Sequence, residues 1–149
     1  MDHRSAIIIG TVIVLALALL GAWNFGPGRS PSVPANLTEI TDPETIQHTV
    51  QLTHLSILTS DTFVETIRIR NITGVLTNIS DKPIRRIDLK MTFSDSSGNM
   101  VEESTHTAFD PRRPPLVPGS EYRFEINFEN LPKTWNYHVP KTGIVKVAF

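Results

Sequence analysis

Residues 122–128 read Tyr-Arg-Phe-Glu-Ile-Asn-Phe, and every second side chain in this stretch is large and apolar. Alternation with a period of two is typical of a β-strand that buries one face, because successive side chains point to opposite faces. Residues 87–93 repeat the pattern with Ile-Asp-Leu-Lys-Met-Thr-Phe. These two stretches predict that half-buried strands build the fold.

Further strands are predicted on both sides of this pair. Val145, Val147 and Phe149 form a third alternating stretch at the end of the chain. Three less regular strands are predicted, because apolar and β-branched residues are frequent but their phase is imperfect. They cover residues 48–59, 65–77 and 100–109.

In the first two irregular strands, the apolar side chains change face partway along. A β-bulge inserts one extra residue into a strand and therefore shifts the phase of everything after it. We expect one bulge near His54 and another near Asn71 or Gly74.

Turn-forming residues separate the predicted strands. Residues 80–83 (Ser-Asp-Lys-Pro) and 95–98 (Asp-Ser-Ser-Gly) are typical of tight connections, and Asn78 is interpreted as a turn former just before the first. Residues 110–119 contain four prolines, which predicts a longer crossover loop. With roughly six or seven strands and no helix of about ten residues, the pattern predicts an all-β, immunoglobulin-like antiparallel β-sandwich at residues 44–149.

An apolar segment precedes this domain. No charged residue lies between Arg4 and Arg29, and residues 6–25 are mostly Ile, Val, Leu and Ala. At about 1.5 Å per residue, a helix of this length spans about 30 Å, the thickness of a bilayer core. We expect one transmembrane helix after a short leader at residues 1–5. The alternative is a signal peptide cleaved after Ala22.

The predicted location is the bacterial inner membrane, with the C-terminal domain extracytoplasmic, since Arg4 and the amino terminus favour a leader on the inside. Residues 26–43 are rich in proline and poor in large apolar residues, which predicts an extended stalk.

The overall charge and the cysteine count exclude other classes. The 14 basic and 15 acidic residues leave a net charge of −1, so the electrostatic basis of a nucleic-acid surface is absent. The chain has no cysteine and therefore no disulfide framework, so the domain has to be stabilised by burial of its core.

Several stretches resemble small bacterial envelope domains. Residues 74–80 read Gly-Val-Leu-Thr-Asn-Ile-Ser and resemble the G-x-h-x-N-x-S strand and turn of small immunoglobulin-like envelope domains. Residues 91–95, Met-Thr-Phe-Ser-Asp, followed by Gly98, are similar to the Phe-x-Leu-Tyr-Asp motif after which one such family is named. Residues 116–119, Leu-Val-Pro-Gly, resemble the L-x-P-G before that family's last long strand.

The end of the chain resembles a related set of uncharacterised bacterial proteins, also anchored by their N-terminus. The resemblance lies in residues 131–136, Leu-Pro-Lys-Thr-Trp-Asn, and in Pro140. It implies a membrane-anchored immunoglobulin-like domain of unknown function. It assigns no functional residues.

Catalytic and metal-binding patterns are weak. The histidines lack the close ligand spacing of a structural metal site, and we expect neither a metal nor a cofactor. No G-x-S-x-G elbow and no cysteine nucleophile is present. Asp95, Asp110 and Glu102 with Glu103 could supply paired carboxylates, but Asp95 lies in a turn whose geometry alone explains it. We expect a non-enzymatic protein. The five histidines are His3, His48, His54, His106 and His138.

Two places are candidates for contact with a partner. Arg112 and Arg113 lie among prolines in the crossover loop, where they could contact a partner or anionic headgroups, or could simply be solvated. Trp135 and Tyr137 could form an exposed recognition surface, or Trp135 could cap the bottom of the core.

The expected function is that of an interaction or accessory module in a membrane complex, with a membrane protein as its partner. The alternative is an extracytoplasmic ligand-binding domain for a cell-wall component or a small polar molecule. That alternative requires a concave apolar pocket in which polar groups converge.

Overall fold

The computed structural model describes residues 36–60 and 69–149. The predicted leader, the predicted membrane helix at residues 6–25 and the alternative cleavage site after Ala22 lie outside these residues. Among the residues described, no helix is both long enough and apolar enough to cross a bilayer. The membrane anchor and its orientation therefore stay predictions.

Within the described residues, seven β-strands and one short helix form two antiparallel sheets. One sheet has four strands in the order β1-β7-β4-β5, and the other has three in the order β2-β3-β6. The predicted all-β class is confirmed. The elements are β1 Glu39–Ile40, α1 Pro43–Gln47, β2 Val50–Ser60, β3 Ile69–Asn78, β4 Arg86–Ser94, β5 Met100–Phe109, β6 Glu121–Glu129 and β7 Lys141–Ala148.

The two sheets pack on each other through aromatic side chains. The rings of Phe93 in β4 and Phe128 in β6 meet edge to face, with centroids 5.1 Å apart. Phe109 and Tyr122 meet in the same way at 5.0 Å. Full burial of a phenylalanine side chain contributes about 1.5–3 kcal/mol. The alternation predicted for β6 is confirmed, since Phe124, Ile126 and Phe128 are buried.

The predicted bulge near His54 is confirmed, and the second predicted bulge is wrong. The β2–β3 register shifts between Thr53 and Ser56, and His54 has a φ of 53°. In contrast, the β3–β6 register runs from Ile69 to Thr77 without a shift. The single extra residue on β2 changes the face to which the following β2 side chains point. Gly74, opposite this bulge, keeps the regular register of β3 with β6.

Gly74 has no space for a side chain. A Cβ atom there would lie 2.7 Å from Cε1 of Phe124 and 3.1 Å from Cδ2 of Leu55. The glycine of the G-x-h-x-N-x-S stretch therefore lets the Phe124 ring lie directly on the β3 backbone.

The last strand begins earlier than the alternation predicts. Leu89 pairs with Ile144 whereas Asp88 pairs with Lys146, so Val145 is an extra, bulged residue. Ile144 packs against the core, and Val147 is fully buried. Val145 alternates with Val147 and Phe149 in the sequence, and it therefore resembles a core position. The register shift shows that it is instead the inserted residue of the bulge.

The folded region begins before the predicted end of the stalk. Strand β1 pairs with Val147 and Ala148 of β7, and α1 follows it. The Asp42 carboxylate accepts a hydrogen bond from the Thr45 amide at 2.8 Å, which caps this helix. Residues 39–43, assigned to the stalk on composition, are therefore part of the domain.

A fully buried asparagine joins two of the loops that pass between the sheets. The Asn78 side chain is 0% exposed, and its Nδ2 donates to the carbonyl oxygens of Lys82 and Leu116, each at 2.8 Å. Its Oδ1 accepts from the Ser80 amide at 3.0 Å and from the Ser80 hydroxyl at 2.8 Å. The predicted turn role of Asn78 is confirmed, and both ends of its amide are fully used.

The backbone around Asn78 strengthens the same junction. Its carbonyl accepts from the Gly119 amide at 2.8 Å, and its amide donates to the Ser120 carbonyl at 3.0 Å. Ile84 and Leu116 exchange two more bonds, at 2.8 and 2.9 Å. The predicted crossover loop at residues 110–119 is thus fixed to the connection between β3 and β4.

The sandwich has two distinct ends. We call the end with Asn78 and residues 110–120 the entry end, because the described chain begins there and Thr38 accepts a hydrogen bond from Phe149. The opposite end, with residues 95–99 and 130–140, is the far end. Strand β4 connects them with 9 residues. At about 3.3 Å per residue, this corresponds to about 30 Å.

We expect Asn78→Ala to destabilise the full chain by about 2–3 kcal/mol, because buried carbonyl and amide groups lose their partners. Asn71→Ala is the matched control. Asn71 lies on the same strand and is half-buried; its Nδ2 donates to Glu125 at 2.6 Å, and its Oδ1 has no partner among the described residues, so truncation leaves no further buried group unpaired. It should cost less than about 1 kcal/mol. Chemical unfolding measures the stability of both variants, and equal unfolding midpoints for Asn78→Ala and Asn71→Ala would contradict the role of Asn78.

Gly74→Ala should cost about 1–3 kcal/mol, because the methyl group clashes with the Phe124 ring. Gly143 in β7 is the matched control, since a Cβ there meets no atom within 4 Å. Gly143→Ala should be neutral, or stabilising by up to about 1 kcal/mol. Thermal or chemical unfolding of the full chain tests this, and a neutral Gly74→Ala would show that Phe124 can move away.

Candidate binding site

The segment between β6 and β7 is held in place by one asparagine. The Asn136 amide donates to the Ser94 carbonyl at 3.0 Å, and its Nδ2 donates to the Asp95 carbonyl at 3.1 Å. Its Oδ1 accepts from the His138 amide at 3.0 Å. Asn136 therefore fastens this segment to the β4–β5 connection and fixes the position of both aromatic neighbours.

Trp135 anchors the segment from the core side. Its side chain is 3% exposed, and its ring lies edge to face on Phe93 with centroids 5.5 Å apart. This geometry is that of a cap on the core, the second of the two interpretations of Trp135. An exposed aromatic pair is not formed, since only Tyr137 is exposed, at 52%.

A concave pocket of about 670 Å³ lies beside these two rings. Its volume falls within the range of small-molecule sites, about 300–1,000 Å³. The Trp135 and Tyr137 rings are 5.2 Å apart and tilted by 42°, so they form two walls that meet at an angle. The lining residues are Arg70, Asn130, Leu131, Pro132, Lys133, Trp135 and Tyr137.

Two cations lie at this pocket. Arg70 is half-buried on β3, and its guanidinium carbon lies 5.9 Å from the centre of the Tyr137 ring. Lys133 is exposed. No acidic residue is among the described lining residues. The pocket therefore combines apolar and aromatic walls with positive charge.

The backbone at the pocket is strained. Tyr137 has a φ of 62° and Asn130 a φ of 59°, both in the left-handed region. Asparagine tolerates this conformation, but a bulky aromatic residue rarely adopts it, and such strain costs about 1–3 kcal/mol. In addition, the buried Nε1 of Trp135 has no hydrogen-bond partner among the described residues. Strain of this kind is concentrated at binding and catalytic sites.

The second predicted contact pair lies elsewhere. Arg112 binds the Asp110 carboxylate with its Nη2 at 2.6 Å and its Nε at 3.0 Å. The hydrogen bonds from Arg112 lower the pKa of Asp110 to about 2. Arg113 lies over the Tyr122 ring at 5.2 Å. Both arginines are therefore engaged at the entry end, whereas Trp135 and Tyr137 lie at the far end.

The candidate metal and acid–base residues are dispersed within the described part of the chain. No group of three or more His, Asp or Glu side chains there could hold a metal ion. His106 packs on the Phe128 ring at 4.7 Å, and burial lowers its pKa. Asp95 accepts bonds from the Ser97 and Asn99 amides, which fixes its turn.

Sequence reasoning did not identify Arg70 or Lys133. Arg70 lies more than sixty positions before Tyr137, and only the pairing of β3 with β6 brings it to the far end. No local motif marks it. Lys133 lies within the stretch 131–136, two residues before Trp135. Its position beside this candidate contact residue is the one sequence feature that could have identified it.

No protein-family model and no curated protein matches the sequence. A crystal structure described as the "Putative ApaA Protein from Bordetella pertussis" is similar over 68% of this chain and 92% of that chain. The two sequences are 15% identical, and the TM-score is 0.41. A similarity this low carries no argument about this chain.

Asp110 should make stability depend on acid pH. Because its pKa in the folded chain is lowered from 3.8 to about 2, its contribution is complete above about pH 4 and is lost as pH falls towards 2. Asp110→Asn should therefore flatten the pH dependence of the unfolding free energy between about pH 4 and 2. Its carboxylate is 32% exposed, so the effect is small.

The control is Asp81→Asn, at an exposed turn of the same end. Asp81 forms no ion pair within the described residues. Unfolding of the full chain is measured at several pH values. Parallel curves for wild type and Asp110→Asn would contradict the role of the Arg112 bonds.

Proposed function

We propose that this chain is a non-enzymatic binding module of the bacterial envelope. In this proposal, residues 6–25 anchor it in the inner membrane as a single-pass helix, and the proline-rich segment after them is the stalk. An immunoglobulin-like β-sandwich on the outer side makes the functional contacts. The apolar run and the two-sheet antiparallel fold support this proposal.

The observation that carries the binding role is the pocket at the far end. An exposed Tyr137 is held there in a strained backbone conformation by Asn136 and by the buried Trp135. A solvated loop with no binding role could relax this strain at little cost. A rigid aromatic side chain that is half exposed is a typical anchor of recognition surfaces.

The position of the pocket suits a tethered module. The described chain begins at the entry end, so any N-terminal tether joins the sandwich there. The pocket lies at the opposite end, about 30 Å along β4 at about 3.3 Å per residue. The point where a tether would join and the pocket therefore lie at opposite ends of the described sandwich.

The proposed role is that of an interaction module with a membrane-protein partner. The pocket also favours the alternative, an extracytoplasmic domain that binds a cell-wall component or a small polar molecule. That alternative needs a concave apolar site where polar groups converge, and the pocket offers apolar walls beside Arg70 and Lys133. Both roles use the same end of the sandwich.

We expect the tagged full-length chain, purified in mild detergent, to retain a membrane partner through the far end. Tyr137→Gly removes the ring, and glycine accepts the positive φ without strain. The amount of partner recovered with this variant should fall at least about tenfold, which is the effect of removing one interface anchor. The double variant Arg112→Gln/Arg113→Gln at the entry end should retain it. Quantitative mass spectrometry of the eluates measures both.

Two results would contradict this proposal. Loss of the partner from the arginine double variant together with its retention by Tyr137→Gly would move the contact surface to the entry end. Recovery of a soluble chain that begins after Ala22 would reject the anchor. N-terminal sequencing of the membrane and soluble fractions distinguishes an anchored chain from a cleaved one.

A further inference from the structure

Two of the described cations, Arg70 and Lys133, line the pocket. Four described cations form ion pairs with carboxylates, namely Arg86, Lys90, Arg112 and Lys146. Within the described residues, Arg70 and Lys133 form none. Their positive charges lie instead beside apolar and aromatic walls. Such a surface complements a ligand that carries both a negative charge and an apolar face.

We propose that this pocket binds a carboxylate attached to a ring, with the ring against Tyr137 and the carboxylate on Arg70. The inference rests on the proposed binding role of the far end and specifies its ligand class. Lys133, at the rim, adds a second positive charge. The ligand is either a sugar acid within a glycan or a small free ring acid, and the two share this chemistry.

Arg70 specifies the charged group. Its planar guanidinium presents donors in a fork that matches a carboxylate, and partial burial strengthens such charge-assisted bonds. The residue continues the buried face of β3, two positions before the fully buried Ile72, so its stem is held by packing. A neutral ligand would leave its charge without a partner in a partly dry site.

Tyr137 and Trp135 specify the ring. The centre of the Tyr137 ring lies 5.9 Å from the Arg70 guanidinium carbon and 5.2 Å from the centre of the Trp135 ring. A flat apolar face can therefore pack on aromatic surface while its carboxylate reaches Arg70. Because Asn136 already fixes the segment, binding costs little further conformational entropy of the protein, and this favours affinity.

The test uses the single indole of the pocket as a reporter in the full chain. The sequence has two tryptophans, so Trp23→Phe leaves Trp135 as the only one. This chain, in lipid nanodiscs, is titrated with cyclohexanecarboxylate and with its neutral amide, which differ in charge but barely in shape. Glucuronate and glucose form a second pair, which tests the sugar source. Trp135 fluorescence reports binding.

We expect at least one acid to bind about tenfold or more tightly than its neutral counterpart, the factor of about one charge-assisted bond. Arg70→Gln should remove this preference and leave the affinity for the neutral compound unchanged. The matched control is Arg123→Gln on β6, because Arg123 lies at a different, smaller concavity. It should behave like wild type. Glucuronate alone would indicate a glycan, and cyclohexanecarboxylate alone a free ring acid.

Three results would overturn the inference. These are equal affinities for acid and neutral compound, no binding of either acid, and a preference that survives Arg70→Gln. If the Tyr137-dependent membrane partner is still captured in that case, only the ligand class fails. If the partner and the ring acids are both absent, the proposed binding role of the far end fails as well.

Discussion

The hydrogen bonds of the buried Asn78 side chain are the constraint on which the described fold depends most. Two connections between the sheets, β3 to β4 and β5 to β6, meet at this residue, and its amide donates to a carbonyl in each, those of Lys82 and Leu116. Loops that leave one sheet for the other expose backbone polar groups to the core, where each needs a partner. One fully satisfied amide meets this need for both loops. Beyond this junction the two sheets face each other through aromatic contacts such as that of Phe93 with Phe128.

The far end is organised differently, by an aromatic contact rather than a buried amide. Trp135 packs on Phe93, and Asn136 binds the backbone of the β4–β5 connection. The core thereby stabilises a segment that is itself unfavourable, with a strained Tyr137 and an indole N–H that meets no acceptor among the described residues. Stability gained in a packed core commonly offsets local strain where a surface is shaped for binding.

The distribution of charge separates the two ends. At the entry end, Arg112 is neutralised by Asp110, and Arg113 lies on an aromatic ring. At the pocket, Arg70 contacts the Tyr137 ring. A cation bound to its own carboxylate offers little to a ligand, whereas a cation against an aromatic face keeps its donors for one. Arg113 at the entry end also lies on a ring, so the far end is the stronger candidate for recognition because its cations line a concave pocket with apolar and aromatic walls.

The alternating stretches and the turn residues were enough to predict the strands. Successive side chains of a strand point to opposite faces, so a strand with one buried and one solvent-exposed face shows this alternation within a few residues. The same local logic predicted the bulge at His54 and the turn at Asn78. The bulge at Val145 could not be predicted in the same way, because Lys141, Thr142 and Gly143 before it show no apolar alternation whose phase could change. The burial of Trp135 and the meeting of Arg70 with Tyr137 were decided only by the tertiary structure. Both depend on contacts between residues far apart in the chain, and a sequence pattern records only neighbours.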